Sequence, residues 1–468
     1  NGVYAGLFSN VSGACLIKDL TIKDARVKPA SERRETEIGI LMSAPSETVT
    51  IENCHISGSI IGSGNAYFAG GLIGHVRQSA NVKIELCSAD VRITGTAGNG
   101  FAGGLIGYID GTAEINNSYA VVDMDVDYIN YAGGLVGAGN NAEISNSYAA
   151  GKSLTGKWAG GTVSGIANNG TITNSISIFP EMTSVNRISQ GGTLSGNYGF
   201  VGTTARNSTG KVLTPEESNI GPDQIYGADA SADQLRSQKF YQSTLGWDFE
   251  NVWTMPSAES GYKFPVLKGQ KESMIPTLSL DMDPSVISVS LDQQQATLYP
   301  RGSLKLTATV ESKNGASRDV KWVSSDLAAV HVTDDGTVAV HKDAAAGTYK
   351  VTAVSQFDES KQADCEITVD NREHTVSIAR EDTKNSPNAE IGVYWSREDA
   401  EGTSNTSPVA EGKGTTDSPI TFQAKAGSEI YLKFKDLAEK DVVNKITVTD
   451  KDGKTFEAKL CSIDPFIG

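Results

Sequence analysis

Through the first 200 residues the apolar positions come in short bursts, and no stretch carries the stripe of an amphipathic helix. Segments such as Ala89 to Thr94 and Val121 to Val126 alternate apolar and polar residues, the two-residue period of a strand. Gly, Asn and Ser separate the bursts, and two phrases recur around them. The first is an aromatic or polar residue, Ala-Gly-Gly, an aliphatic pair, then Gly or Ser. Phe68 to Gly74, Phe101 to Gly107 and Tyr131 to Gly137 are clear copies. Trp158 to Ser164 and Ser189 to Ser195 are drifted copies, and Val3 to Ser9 and Thr36 to Met42 weaker ones. Marked by Gly6, Gly39, Gly71, Gly104, Gly134, Gly161 and Gly192, the phrase returns after 33, 32, 33, 30, 27 and 31 residues. The second phrase keeps the same beat: Ile51-Glu-Asn-Cys54, Ile84-Glu-Leu-Cys87, Ile115-Asn-Asn-Ser118, Ile144-Ser-Asn-Ser147 and Ile172-Thr-Asn-Ser175. A fixed return of this length means stacked units sharing one core, none able to bury its apolar face alone. The pattern predicts an all-β chain. Its amino-terminal part is a parallel β-helix, or solenoid, of about seven coils with two or three short strands each. With coils about 4.8 Å apart, seven span roughly 30 Å.

Three columns follow from that stacking. Asn53, Asn117, Asn146 and Asn174 share one position, with Leu86 as the exception, and their amides are expected to bond up and down the column. The glycine pair fits a tight turn or a close approach to the next layer. Phe68, Phe101, Tyr131 and Trp158 form an aromatic column that reads as corner packing, with a sugar platform as the alternative.

The first phrase followed by Ile-x-Asn-Ser-Tyr-Ala resembles the GLUG repeat of bacterial surface proteins. That family occurs in large adhesin-like proteins and in non-catalytic parts of immunoglobulin-A-cleaving metallopeptidases. Ala232 to Tyr241, Leu245-Gly-Trp-Asp-Phe249, Val252-Trp253 and Phe264 to Leu267 resemble the closing element usual after such repeats, a short helix and a Trp-rich hairpin over the last coil. An open solenoid end exposes strand edges, so a dissimilar terminal unit is expected there, with Leu235, Phe240, Tyr241, Trp247 and Trp253 as the cover. The resemblance implies a solenoid over residues 1–200 and a cap over 201–268.

Past a linker near Gly269 to Ile275 the glycine phrase vanishes. Seven strand candidates lie between Val286 and Val369, the count and spacing of a β-sandwich over residues 276–370. Trp322-Val-Ser-Ser-Asp326 and Asp335-Gly-Thr-Val338 resemble the group 2 bacterial immunoglobulin-like domain, which implies a spacer in a surface protein, with Trp322 in the core. Residues 371–468 alternate well enough for a second sandwich, with Gly402 to Asp417 as a mobile loop.

Composition changes the picture mainly by exclusion. The chain has 468 residues and a net charge of −16 with no basic patch, which disfavours nucleic acid as a partner. Nothing approaches 18 consecutive apolar residues, so no membrane span is expected. The chain opens inside a repeat, which reads as a mature or trimmed fragment. Five cysteines are too few for a disulfide framework; Cys54 and Cys87 should be neighbours and free thiols, and Cys365 a small buried hydrophobe. None of the five histidines sits in His-Glu-x-x-His, and neither a Gly-x-Ser-x-Gly elbow nor a phosphate-cradling loop occurs. No catalytic residue, cofactor or metal is assigned. Asp123, Asp125 and Asp127 share one strand face and are candidates for cation or ligand contact, beside Tyr131 and Trp158. The expectation is a monomeric, non-enzymatic, extracellular protein of a bacterial surface, adhesin-like, holding a solenoid against a glycan or protein ligand. The alternatives are a carbohydrate-active β-helix and the non-catalytic region of a larger surface peptidase. An acidic pair with a nearby Arg or Lys in one groove would favour the carbohydrate-active reading.

Overall fold

The computed structural model describes residues 3–29, 36–62, 67–95, 100–126, 129–139, 141–156, 162–207, 209–379, 388–402, 406–415, 417–425, 428–436, 445–449 and 454–458. The chain divides into two compact units, residues 1–285 with 313–316, and the remainder. The first is a parallel β-solenoid of about six turns.

Its early coils carry four strands, not two or three, because the glycine phrase is itself broken by a corner. In the third coil the strands are Tyr67–Gly70, Ile73–Val76, Asn81–Glu85 and Ser88–Gly95. Each pairs in parallel with its counterpart one coil away, which builds stacked sheets of six, five, seven and twelve strands. Leu72, Leu105 and Leu135 sit at the broken corner, fully buried and aligned, with Leu72 N–H donating to Leu105 O at 2.9 Å and Leu105 N–H to Leu135 O at 2.8 Å. A second aliphatic column, Ile17, Ile51, Ile84, Ile115, Ile144, Ile172 and Leu194, runs through the seven-stranded sheet.

The glycine pair is needed for space. Neither member of the pairs at 70–71, 103–104 and 133–134 has a positive φ. A Cβ on Gly104 would lie 2.2 Å from Gly134 O and 2.5 Å from Ala120 Cβ, so the corner packs directly on the alanine column opposite. That fit fixes the true register of the weaker copies. Gly39 pairs with Gly70, so Ile40 and not Gly39 stands beside Gly71. Tyr131 pairs with Thr162 and Gly134 stacks on Gly165, which moves the sixth phrase four residues past Trp158, itself outside the described residues. Thr193–Ser195, read from sequence as a seventh glycine phrase, pairs with Thr171–Thr173 in the seven-stranded sheet. The six-stranded glycine sheet therefore ends at Thr162–Ser164.

The asparagine column does not form an amide ladder. Asn53, Asn117, Asn146 and Asn174 have φ of 49°, 45°, 48° and 46°, and Leu86 has 56°: the column is a left-handed turn, which Asn tolerates better than most residues. Their side chains reach other acceptors one coil back, Asn53 Nδ2 to Asp19 Oδ1 at 2.7 Å and Asn117 Nδ2 to Glu85 Oε1 at 3.0 Å. The ladder lies one residue further on. Cys87 N–H donates to Ser118 Oγ, Ser118 N–H to Ser147 Oγ, and Ser147 N–H to Ser175 Oγ, at 3.1 to 3.3 Å. Each hydroxyl in turn donates to the carbonyl two residues before it, as Ser147 Oγ does to Ser145 O at 2.7 Å. Cys54 N–H meets Cys87 Sγ at 3.4 Å in the same pattern, so the two cysteines stand in for serines as buried free thiols.

The tryptophan-bearing segment lies along a flank. The outward side of the twelve-stranded sheet is apolar at Tyr119, Val121, Tyr148, Ala150, Ile176, Ile178 and Phe200, and residues 230–282 pack on it. Helices Ala232–Leu235 and Gln238–Thr244 bring Leu235, Phe240 and Tyr241, and Trp247 stacks on Trp253 at 4.6 Å. Tyr148 Oη donates to Pro265 O at 2.7 Å, and Trp247 Nε1 to Asn174 O at 2.9 Å. At the last coil, Arg187 is buried and donates to the carbonyls of Tyr226, Phe200 and Gly227 while pairing with Asp229 at 2.7 Å.

In the second unit, strands between Ser285 and Val369 enclose a core of Leu306, Val330, Val338, Val351, Cys365 and Ile367, with Trp322 half-buried against it. The two signature phrases meet here: a Cβ on Gly336, at φ 85°, would lie 2.8 Å from the Trp322 ring. Residues 373–458 form two further sheets around Val376, Ile378, Ile391, Val393, Ile420 and Phe422. The stretch expected as a loop contains a strand, Ala410–Gly412, paired with Glu390–Tyr394.

Candidate functional site

The outward side of the twelve-stranded sheet changes character along the solenoid. Strands Ser88–Gly95 and Tyr119–Val126 bury Val91, Ile93, Val122 and Met124 inside the coil and turn the alternate residues outward. Toward the later coils these are apolar and covered. Toward the earlier coils they are Arg26, Ser59, Arg92 and Asp123 in one row, with Ser57 and Asp90 in the row beside it. The flanking segment leaves this part open. A trough of about 700 Å³ results, lined by Asp24, Arg26, Ser57, Ser59, Asp90, Arg92, Asp123 and Lys152, with Thr277 and Ser279 also on its wall.

The trough crosses five successive coils, because each supplies two or three of the lining residues. Asp24 is held at a bulge, where its N–H donates to Ser57 Oγ at 3.0 Å. Burial pushes the Asp90 carboxyl up to about 6. Arg92 Nε lies 3.7 Å from Asp123 Oδ2, both largely exposed, a long pair worth little in water. The trough thus offers three cationic side chains, three carboxyls and four hydroxyls to whatever lies along it. Such a set can bind a polar chain through many hydrogen bonds and charges.

Of the residues singled out from sequence, Asp123 belongs to this trough. Asp125 follows on the same strand, its side chain outside the described set, and Asp127 lies outside the described residues. Among the described residues no group of three acidic, His or Cys side chains is placed to hold a metal ion. Tyr131 sits on the glycine sheet instead, where it stacks on Phe101 at 5.5 Å, and Phe101 packs at a tilt on Phe68 at 5.3 Å. His75 and Tyr108 pack on the same rings. Most of these rings meet at a tilt, which buries Phe68 and leaves Tyr131 exposed at 37%. Beside the column, His75 bridges three coils, with Nδ1 3.1 Å from Glu37 and Nε2 2.9 Å from Asp110. Burial pulls its pKa down, but the two carboxylates outweigh that and the net direction is up. Sequence reasoning missed Arg92 and Asp90, although the Ile84 to Ile115 repeat already placed Arg92 beside Asp123. Nothing in the sequence showed where the flanking segment would stop.

Residues 285–367 match the family model of the bacterial Ig-like domain (group 2). An alpha-L-arabinofuranosidase of Bifidobacterium longum subsp. longum is 36% identical over 90 residues, which is 19% of this chain and 8% of that protein. The chain therefore spans under a tenth of that relative's length. The crystal structure of a candidate immunoglobulin A1 protease from Bacteroides ovatus aligns at 20% identity with a TM-score of 0.37, over 57% of this chain and 73% of that one. At that likeness nothing about activity follows. No helix among the described residues is long and apolar enough to cross a membrane. Residues 285–367 are thus a bacterial Ig-like domain of group 2.

Proposed function

We propose that this chain is an adhesin-like, non-enzymatic recognition protein of a bacterial surface, whose solenoid offers its flank trough to an extended saccharide. The observation that carries this reading is the trough itself, a polar channel crossing five rungs on a rigid stack. A solenoid suits the task because rung spacing repeats, so a polymer can be met at regular intervals. The Ig-like domain then serves as a spacer. Location at the cell surface is part of the proposal and rests on the solenoid and the Ig-like domain. The test is a glycan array probed with the full chain and with Ser59→Trp, which fills the trough from a half-buried position. The wild type should bind a subset of extended glycans and the variant should lose them at least tenfold. Equal binding by both would refute a role for the trough.

One observation favours a second reading, hydrolysis of the bound polymer. Asp90, with its pKa raised to about 6, stands diagonally across the sheet from Asp123, an arrangement of acid and carboxylate like that of glycosidases. Release of reducing ends by the full chain, abolished by Asp90→Asn, would establish that reading in place of the first.

A further inference from the structure

The trough has a period. Its cations come from alternate coils: Arg26 from the first, Arg92 from the third and Lys152 from the fifth. Ser57 and Ser59 lie on the coil between the first two, and Asp123 on the coil between the second and third. Rungs of a parallel stack are about 4.8 Å apart, so Arg26 and Arg92 lie about 10 Å apart, with Lys152 two coils further on at a one-residue insertion between Ala150 and Leu154. Arg26 and Arg92 stand in one register row through Ser59, so the recurrence runs along the solenoid axis. Of the three, only Arg92 has a carboxylate within ion-pair distance among the described residues, and that pair is long and exposed.

The geometry points to a linear, hydroxyl-rich polyanion with one carboxylate per disaccharide as the ligand, lying along the solenoid axis. This rests on the trough being the binding site and goes beyond it by naming the ligand's charge and repeat. An extended β-linked glycan advances by close to one rung per sugar, so a carboxylate on every second sugar meets a cation on every second rung. The sugars between face Ser57, Ser59 and the carboxyl of Asp123, which accept hydrogen bonds from hydroxyl and amide donors, while Asp24 and Asp90 share their rungs with Arg26 and Arg92. The guanidinium groups of Arg26 and Arg92 offer planar forks matched to carboxylates. Asp123, on the coil between Arg92 and Lys152, also works against densely charged polymers. A chain with a carboxylate or sulfate on every sugar would set a negative group beside Asp123, on the rung between Arg92 and Lys152, as well as beside the cations. Alternation is therefore read by attraction and repulsion together.

The experiment compares four probes on the intact chain by calorimetry at low and moderate salt. These are a hyaluronan octasaccharide, the same octasaccharide with its carboxyls reduced to alcohols, a neutral chitin oligosaccharide and an oligogalacturonate. The hyaluronan probe should bind at least tenfold more tightly than the other three, and its affinity should fall as salt rises. Arg26→Gln and Lys152→Gln, both at exposed positions, should each weaken it three- to tenfold while leaving the melting temperature unchanged. Ser59→Trp should abolish binding. If the neutral or carboxyl-reduced probe binds as well as the native one and Ser59→Trp still abolishes it, the trough stands as the site and the alternating-carboxylate ligand is refuted. Tighter binding of the oligogalacturonate refutes the alternation alone. If no probe responds to Ser59→Trp, the trough reading itself fails, and this inference with it.

Discussion

The residues that hold the rungs in register are small and polar. In the column of Cys54, Cys87, Ser118, Ser147 and Ser175, each side chain from Cys87 onward accepts the N–H of the coil before it, and each donates to its own chain two residues back. Truncating one leaves a buried N–H without its acceptor, at about 1–3 kcal/mol. Ser118→Ala should therefore lower the unfolding midpoint of the solenoid measurably. Cys87→Ser, which puts a better acceptor in the same geometry, should leave it within about 1 kcal/mol of the parent. Chemical denaturation of the three proteins side by side checks both, and a Cys87→Ser variant as damaged as Ser118→Ala would contradict the ladder. The repeated Cys/Ser was legible in the sequence, but its role was given to the neighbouring asparagine. A left-handed turn and a stacked amide ladder ask for the same residue type, and only backbone angles separate them. The glycine pair shows the reverse case. Close approach was foreseen, yet what it approaches, the Ala89, Ala120 and Ala149 column, became visible only with the chain folded.

At the scale of elements, a sheet apolar on both sides demands a second layer. Tyr119-Ala-Val-Val122 and Tyr148-Ala-Ala150 carry apolar residues without alternation, the mark of a strand covered on both faces. That run, more than the open end of the solenoid, is what the tryptophan-bearing segment answers. Trp253 is fully buried where that segment meets Tyr119 and Tyr148, at ring distances of 6.3 and 6.0 Å. Trp253→Ala should cost about 3–5 kcal/mol and open the flank to dye binding. Hydrogen exchange should then rise along 119–121 and 148–150, while the glycine sheet around Leu72 and Leu105 stays protected. Uniform loss of protection through the whole solenoid would contradict a separable flank layer. Sequence reading found this element and its covering residues. It misplaced them because an exposed solenoid end is a general liability, whereas the double-sided apolar run is particular to this chain.

At the scale of the molecule, one arrangement underlies the rest: coils stacked in parallel at a single register, so that residues about 30 positions apart become neighbours. The period and the aliphatic columns made that legible, and the three clear glycine phrases were aligned from sequence as the structure aligns them. The weaker copies slipped by one to four residues because insertions at the corners shift the phrase without shifting the core. Arg26, Arg92 and Lys152 line one trough only if this stacking holds. Lys83, Glu114 and Glu143 form an outward column on three consecutive coils, with Lys83 Nζ 3.4 Å from Glu114 Oε1. Nitroxide labels at these three positions, on a chain whose own cysteines are replaced by serine, report the stacking directly. Coils in the described register bring adjacent labels within about 5 Å, so spin exchange and dipolar coupling broaden the triply labelled spectrum well beyond the sum of the three singly labelled ones. Three resolved lines from non-interacting labels would contradict the stack and, with it, the trough.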